Sequence, residues 1–502
     1  MSLLGIDVGT SGCKSAVFSE EGRLLGFAYE EYDYQNRRPG HAVLDSEQVW
    51  AKVRSTIGRA SSAAGQDPIR AVCVSSLGEA VIPVTHDRRI LGPAILNFDV
   101  RGSEYLEGLR GRISDERLYD INGNTLGNQY TLTKLKWLKE HQPEVYDRAD
   151  VFLHWSGFIS FMLGAEPYVD YSLANRTLLF DVGTADWSPV LFDLAGLDLE
   201  KLPRTVPAGT PIGSVPGSIA AQLGLPAGIP IVSGAHDQCC NGIGAGVLRP
   251  GQAMYGMGTF LCLMPVFGRR PSATPMVRRG LNTEHHAAPG RYVSFVYNQG
   301  GALVKWFRNT FALAGMQDEA SGGTGLYASL LGEMPEGPSS VMALPHFTTT
   351  GPPSFIDDSS GLLAGLRLET SRGDILKGLL EGMTFYLRES LEGLPRVGIE
   401  VEELRAVGGG SQSDAWIQIT ADILGRPFIR PRVREAGTLG AAILAGAGCG
   451  TFDSLETGVG AMVRTAEVFE PDPSRKSLYD DRFEKYRRLW PLVGDYLRGL
   501  NR

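Results

Sequence analysis

A carboxylate inside an apolar run is costly to bury unless it is paired or put to use, and Asp7, within Leu3–Val8, is such a residue. It precedes a glycine turn, Gly9-Thr10-Ser11-Gly12, and then Lys14. Backbone N–H groups at such a turn can hold phosphate oxygens, and a lysine can meet a phosphate as a point charge. Asp7 can serve a divalent cation or its water beside them. Two further glycine turns follow strand-like segments, Gly256-Met257-Gly258-Thr259 and Gly408-Gly409-Gly410-Ser411, with Ser413 shortly after the second. Another carboxylate, Asp237, follows an apolar run and Gly234. It has the chemistry of a general base toward a hydroxyl, which phosphoryl transfer requires. Each feature also has a plainer reading: a hairpin turn, a carboxylate satisfied by turn N–H groups, an exposed lysine, a helix N-cap. Together, in an acidic chain, the three turns favour a nucleotide. His236 reads as a structural neighbour of Asp237, and His285-His286, without partners at metal-ligand spacing, as surface or core. No GxxxxGK[ST] occurs, which excludes a Walker loop, and no strand-bound GxGxxG argues for a dinucleotide site.

These residues need strands and helix starts to hold them. Leu3–Val8 and Ser15–Ser19 read as a hairpin, with a third strand at Arg23–Tyr29. Arg70–Ser75 and Ala94–Leu96 read as strands, and 102–162 as helical. Leu132, Leu135 and Leu138 recur at three-residue steps there, and that helix stops before Pro143. Ile229–Ser233 is a short strand running into Gly234-Ala235-His236-Asp237 and a small-residue helix. Gln252–Tyr255 and Phe260–Pro265 repeat the opening strand–turn–strand about 250 residues later, which suggests an internal duplication. A helix is expected over Ser371–Leu394, started by Ser371 with Asp374, and a strand over Leu404–Val407. A helix follows from about Ser413 to Leu424, and an amphipathic tail over about Leu478–Leu500, bent or broken at Pro491.

Composition narrows the function classes. The 502 residues exceed one growing core, so two or three domains are expected. Hydrophobic residues at 43% and charged residues at 21% argue against disorder, and a net charge of −8 against a nucleic-acid footprint. An anionic ligand must then be held by local donors. No apolar run reaches the roughly 20 residues of a membrane span, and MSLLGIDVGT lacks the features of a signal peptide. Six scattered cysteines read as reduced thiols, in keeping with a cytoplasmic location. Glycine is the anomaly, at 63 residues or about one in eight, against about 7% in an average protein.

In order and spacing, four segments resemble the FGGY family of carbohydrate kinases, within the actin-like ATPase superfamily, over essentially the whole chain. They are GIDVGTSGCKSAVF, KLKWL at Lys134–Leu138, GAHDQ at Gly234–Gln238, and GLLAGLRLETSRGDILKGLLEGMTF from Gly361, continued by GGGSQSDAWIQITADILGRP and EAGTLGAAILAG. The resemblance implies two actin-like (ribonuclease H-like) α/β ATPase domains with an interdomain cleft, residues 1–246 and 247–502, each with a mixed five-stranded sheet. It implies ATP in the cleft, Mg2+ served by Asp7 through water, and Asp237 as the base that deprotonates a sugar hydroxyl. Gly78, Glu79, Asp99, Arg101 and Gln238 would border the sugar. Gly9, Thr10, Ser11, Gly12, Lys14, Gly256, Gly258, Thr259, Gly301, Gly409, Gly410 and Ser413 would border the nucleotide. The implied acceptor is a small sugar or polyol, a ketopentose such as xylulose first, with gluconate, ribulose, glycerol or another polyol open. A homodimer is implied too. From another class, an actin-like ATPase acting as chaperone or filament subunit, or a sugar sensor, stays open.

The chain departs from the family pattern in places. Met257 stands where many members have threonine, with Thr259 two residues on. Leu77-Gly78-Glu79-Ala80 stands where xylulose kinases usually show Gln-Met-His-Gly and glycerol kinases Gln-Arg-Glu-Thr. A family tryptophan is replaced by Asn97, while Asp99 and Arg101 keep the later polar pair. Glu79 is able to hydrogen-bond a polyol, or it is an exposed loop carboxylate.

Overall fold

Runs such as Leu3, Leu4, Ile6 and Val8, all fully buried, make strands covered on both faces, as parallel sheets in α/β proteins require. The computed structural model describes all residues except 37, 66, 314, 317–324 and 501–502. Its first sheet runs, in spatial order, Pro211–Ser214, Pro230–Val232, Ile69–Ser76, Ser2–Val8, Gly12–Ser19, Leu24–Glu31. Ser2–Val8 is antiparallel to Gly12–Ser19 and parallel to Ile69–Ser76, which is in turn parallel to Pro230–Val232. Both outer strands are antiparallel to their neighbours.

The second sheet repeats this succession. Gly251–Met257 is antiparallel to Phe260–Phe267 and parallel to Val401–Val407, which is parallel to Phe428–Pro431. Val296–Gln299 and Thr465–Phe469 add antiparallel outer strands. The likeness of the two hairpins thus extends to six strands of matching direction. The expected five strands per sheet fall short: the first sheet has six, and the second has eight because Glu284–His285 and Tyr292–Val293 extend it.

Local signals located most elements. Ser371 caps Arg372–Gly393 in a reciprocal capping box with Asp374, and Ser413 caps Asp414–Leu424. Pro491 is carried inside Pro473–Leu500 and does not end it. The apolar stretch read as helical near 151 divides differently. Val151–His154 is a strand paired with Val81–Val84, and the helix begins at Trp155. Four consecutive buried residues carry no period that separates the two states.

The halves meet along the helix Ala436–Gly448, which packs against Ser2–Val8, Ile69–Ser76 and the helix Asp237–Ala245. A shared core joins Leu3, Phe18 and Val232 to Met254, Met264, Leu439 and Ile443. The approach is backbone to backbone. A Cβ at Gly5 would lie 1.9 Å from the Thr438 carbonyl oxygen, and one at Gly440 would lie 1.9 Å from that of Cys240. Gly5→Ala and Gly440→Ala should each cost at least about 3 kcal/mol in urea unfolding, as overpacking against rigid backbone. Gly58→Ala, in the helix Ser46–Ala63 with its nearest neighbour 4.0 Å away, should instead stabilise by about 0.5–1 kcal/mol.

Candidate functional site

Asp237 opens the helix Asp237–Ala245, and the N-cap position itself belongs to His236. The N-cap reading of Asp237 is thereby corrected: it is the first helical residue, and its carboxylate meets the Gln238 backbone N–H as well as side chains. Oδ1 lies 3.2 Å from Gln238 Nε2 and 3.2 Å from His236 Nε2. Burial holds His236 neutral, well below the usual imidazole range, with Arg176 adding to the effect. The neutral ring stands against the carboxylate without adding a second charge to the site. Burial, and secondarily the charge of Asp7, push the Asp237 carboxyl up to about 7. The His236 backbone N–H donates to Ser172 Oγ at 2.9 Å, and Ser172 is itself tied to the buried Asp170, which fixes the loop.

Asp7 faces the same junction from its strand. Ser75 Oγ donates to Asp7 Oδ1 at 2.9 Å, and burial raises the Asp7 carboxyl above the usual carboxylate range. Oδ2 of Asp7 and Oδ1 of Asn241 each lie 3.2 Å from the point a Cβ would occupy on Gly437. Lys14 pairs with Glu435, the residue before the helix Ala436–Gly448, at 2.7 Å. Its ammonium therefore spans first strand pair and second half rather than standing free.

The glycine turns have distinct outward and inward sides. Gly9 N–H donates to Gly12 O at 2.9 Å, Tyr32 Oη donates to Gly9 O at 2.7 Å, and Ser11 is exposed. In the second turn Met257 points into the core against Gly410, while Gly258 and Thr259 are exposed. Its side chain packs beside Gly410. Gly301 begins the helix Gly301–Phe311 and donates to Gly258 O at 2.8 Å, which ties that helix start to the turn. Gly408 has φ +90°, a left-handed backbone open to glycine, and Gly409 has no atom within 4 Å of a Cβ position. The Ser413 hydroxyl accepts from Trp416 N–H at 3.2 Å.

Glu79 is not an exposed loop carboxylate. It is 3% exposed, at φ +63°, and forms an ion pair with Arg176 through Nη2 and Nε, the latter at 2.6 Å. A non-glycine residue held in this conformation carries strain that clusters at functional sites. Arg176 also binds Glu284 Oε1 through Nη1 at 3.0 Å. A Cβ on Gly78 would lie 3.2 Å from both Arg176 Nε and His236 Nε2, so Gly78, Glu79, Arg176 and His236 form one wall beside Asp237.

Asp99 and Arg101 form a different unit. Arg101 binds the Asp99 carboxylate through Nε at 2.9 Å and Nη2 at 2.5 Å, and Ala42 N–H adds a third contact at 2.6 Å. Lys134, from KLKWL, donates to the carbonyls of Asp99 and Arg101, each at 2.7 Å. That segment therefore pins this loop. Sequence reading missed Arg176, Glu284, Ser75 and Asn241. Arg176 interrupts the apolar stretch YSLANRTLLF as Asp7 interrupts its strand, a signal of the same kind. The others carry none. His285 and His286 fall in the core, hydrogen-bonded to the carbonyls of Val182 and Val247.

Comparison with known proteins follows the same outline. Residues 2–244 match the N-terminal domain, and 253–449 the C-terminal domain, of the FGGY family of carbohydrate kinases. The xylulose kinase of Bacillus subtilis is 26% identical, over 98% of this chain and 97% of that protein. An autoinducer-2 kinase of Klebsiella pneumoniae is 30% identical, over 97% of this chain and 93% of that one. The crystal structure of xylulose kinase from Rhodospirillum rubrum superposes with a TM-score of 0.87 at 25% identity, covering 99% of this chain and 100% of that one.

The Asp237 environment has a consequence for stability. Because the folded state raises this carboxyl from 3.8 to about 7, ionisation opposes folding increasingly from pH 4 to 7 and fully above. Asp237→Asn removes the ionisation. It should raise the melting temperature at pH 8 by about 2 °C and leave it unchanged at pH 4, as calorimetry at both pH values would read.

Proposed function

The chain belongs to the FGGY family of carbohydrate kinases, and we propose that its acceptor is a small ketose, xylulose first, with Asp237 as the base. As a member it is a phosphotransferase with an alcohol acceptor, and ATP is the phosphate donor. The observation that carries the base assignment is the carboxyl of Asp237, pushed up to about 7 beside a neutral histidine. A carboxyl of that strength accepts a hydroxyl proton more readily near neutral pH than one at 3.8.

In this reading Gln238 holds Asp237 Oδ1 with His236 packed beside it, and Oδ2 receives the acceptor's proton as its oxygen attacks the γ-phosphorus and ADP leaves. The turns Gly9, Thr10, Ser11 and Gly12, and Gly256, Gly258 and Thr259, border the phosphates, with the N–H groups of Thr10, Ser11 and Thr259 turned to their oxygens, and Lys14 adds its charge. Gly301, Gly409, Gly410 and Ser413 border the nucleoside, where the missing Cβ at Gly409 leaves room. Gly78, Glu79 and Gln238 border the sugar, with the Asp99–Arg101 loop beyond them. Closure of two halves, divided near residue 246, excludes water that would otherwise hydrolyse ATP.

The residues fit Mg2+. Among the described residues no group of three His, Cys, Asp or Glu side chains could hold a metal ion. Mg2+ suits such a site, since it keeps most of its waters and binds through one or two carboxylates and substrate phosphates. Asp7 Oδ2, beside the space left by Gly437, is the carboxylate that would serve it. Bound there, the cation would neutralise charge on the transferring phosphates.

Xylulose as first acceptor rests on the relatives of that name in both comparisons. A second acceptor to test is autoinducer-2, because the autoinducer-2 kinase relative has the higher identity, 30%. Gluconate, ribulose and glycerol complete the panel. Among the described residues no helix is long and apolar enough to cross a membrane; a cytoplasmic homodimer completes the proposal.

ADP release should rise at least tenfold with the correct acceptor. Turnover indifferent to every acceptor would point to an ATPase or sensor instead. Asp237→Asn should lower acceptor-dependent turnover by about 10²–10⁴-fold, and a loss of only a few-fold would remove Asp237 as the base. Since the base works ionised, kcat/KM should fall as pH drops through about 7, and this limb should vanish in the residual activity of Asp237→Asn.

A further inference from the structure

A buried arginine held between two carboxylates is an expensive arrangement, because three charges leave water together. Arg176 is held in this way, directly after the helix Tyr171–Asn175. Glu79 and Glu284 are 4% and 1% exposed at their side chains, and Arg176 is 15% exposed. The guanidinium lies between the rings of Tyr130 and Phe295, at 5.7 and 5.6 Å from their centroids. Asn282 Nδ2 donates to the same Glu284 oxygen at 2.8 Å. One carboxylate thus comes from each half of the chain, and Arg176 joins them.

Its position is set by an absence. Gly78 has no side chain, and the space in front of it is taken by Arg176 Nε on one side and His236 Nε2 on the other, each 3.2 Å from where a Cβ would be. His236 contacts Asp237, so the guanidinium stands one residue from the proposed base. Three of its five N–H groups bind the two glutamates, and the geometry of a guanidinium leaves two more for ligand oxygens. The local charge is negative, since Glu79 and Glu284 bind this cation and Asp237 lies within its field.

We propose that Arg176, clamped by Glu79 and Glu284, is a specificity-determining residue that binds hydroxyl or carbonyl oxygens of the acceptor and restricts it to neutral ketoses and polyols, excluding sugar acids. The inference rests on the kinase reading above and narrows its substrate class. A neutral polyol both accepts from the guanidinium and donates to the carboxylates. An aldonate brings a further negative charge to a cation already overbalanced by carboxylates, and like charges in a desolvated pocket repel strongly.

The test is ADP release by the full chain with xylulose, ribulose, glycerol and gluconate, for wild type, Glu284→Gln and Arg176→Lys. Wild type should favour the best neutral acceptor over gluconate by at least 100-fold in kcat/KM. Glu284→Gln keeps the shape and removes one charge, and should narrow that ratio at least tenfold with the KM for ATP within twofold. Arg176→Lys should raise the KM of the neutral acceptor at least tenfold, again without moving the KM for ATP. Should that variant fold poorly in a melting scan, Glu284→Gln decides alone. Gluconate used as well as the neutral acceptors, or an unchanged ratio in Glu284→Gln, overturns the proposal while the kinase reading stands. No acceptor-dependent ADP release from any compound overturns both.

Discussion

The whole arrangement depends on three backbones passing closer than side chains allow. The helix Ala436–Gly448 lies between the strand Ser2–Val8 and the helix Asp237–Ala245, and its contacts fall at Gly5, Gly244 and Gly440. At each of the three a Cβ would come within 1.9 Å of a carbonyl oxygen. The residues proposed to function are a few positions away on the same elements. Asp7 is two residues beyond Gly5, Asp237 opens the helix that carries Gly244, and Gly437 lies one turn before Gly440. Close packing makes these distances stiff, so the carboxylates at the junction are placed by glycine contacts that themselves carry no chemistry.

What is placed there is a concentration of negative charge. Asp7, Asp237 and Glu435 converge with Lys14 as the nearby cation. Burial is the larger cause of the raised Asp237 carboxyl and the charge of Asp7 the second. Both follow from how closely the helix seals the junction. Two neighbouring carboxylates whose ionisation is resisted form a site that gains by taking up a cation or giving a proton a place to go. The same packing that holds the halves together therefore makes Asp237 a stronger base than an exposed aspartate.

How far the sequence revealed this differs from residue to residue. Asp7 and the three glycine turns were legible because each violates a local rule: a charge inside a strand, or glycine where a side chain would help the sheet. Ser371 with Asp374 was legible because a capping box is written within four residues. Asp237 was legible as a group worth using, but its exact place at the first helical residue was not, since a one-residue shift of a helix start leaves no compositional trace. Arg176, Glu79 and Glu284 lie 97 and 108 residues apart along the chain, and only folding makes them one cluster. The strand Val151–His154 was lost for a different reason: a short, fully buried run reads the same in a sheet or a helix.

The matching order of the two sheets makes their differences informative. In the first hairpin Asp7 is paired across the strands with Lys14, and in the second the turn-proximal pairs are Gly256 with Cys262 and Met257 with Leu261. One copy therefore presents charge and the other only backbone and packing. Met257 fits that division, because its side chain fills the core against Gly410 and leaves Gly258 and Thr259 outside. Ionic chemistry then needs to be built only once, at the first hairpin, where the helix Ala436–Gly448 brings Glu435 and Gly437 across from the other half. The second hairpin remains neutral and rigid, which suits the nucleotide-bordering role proposed for it.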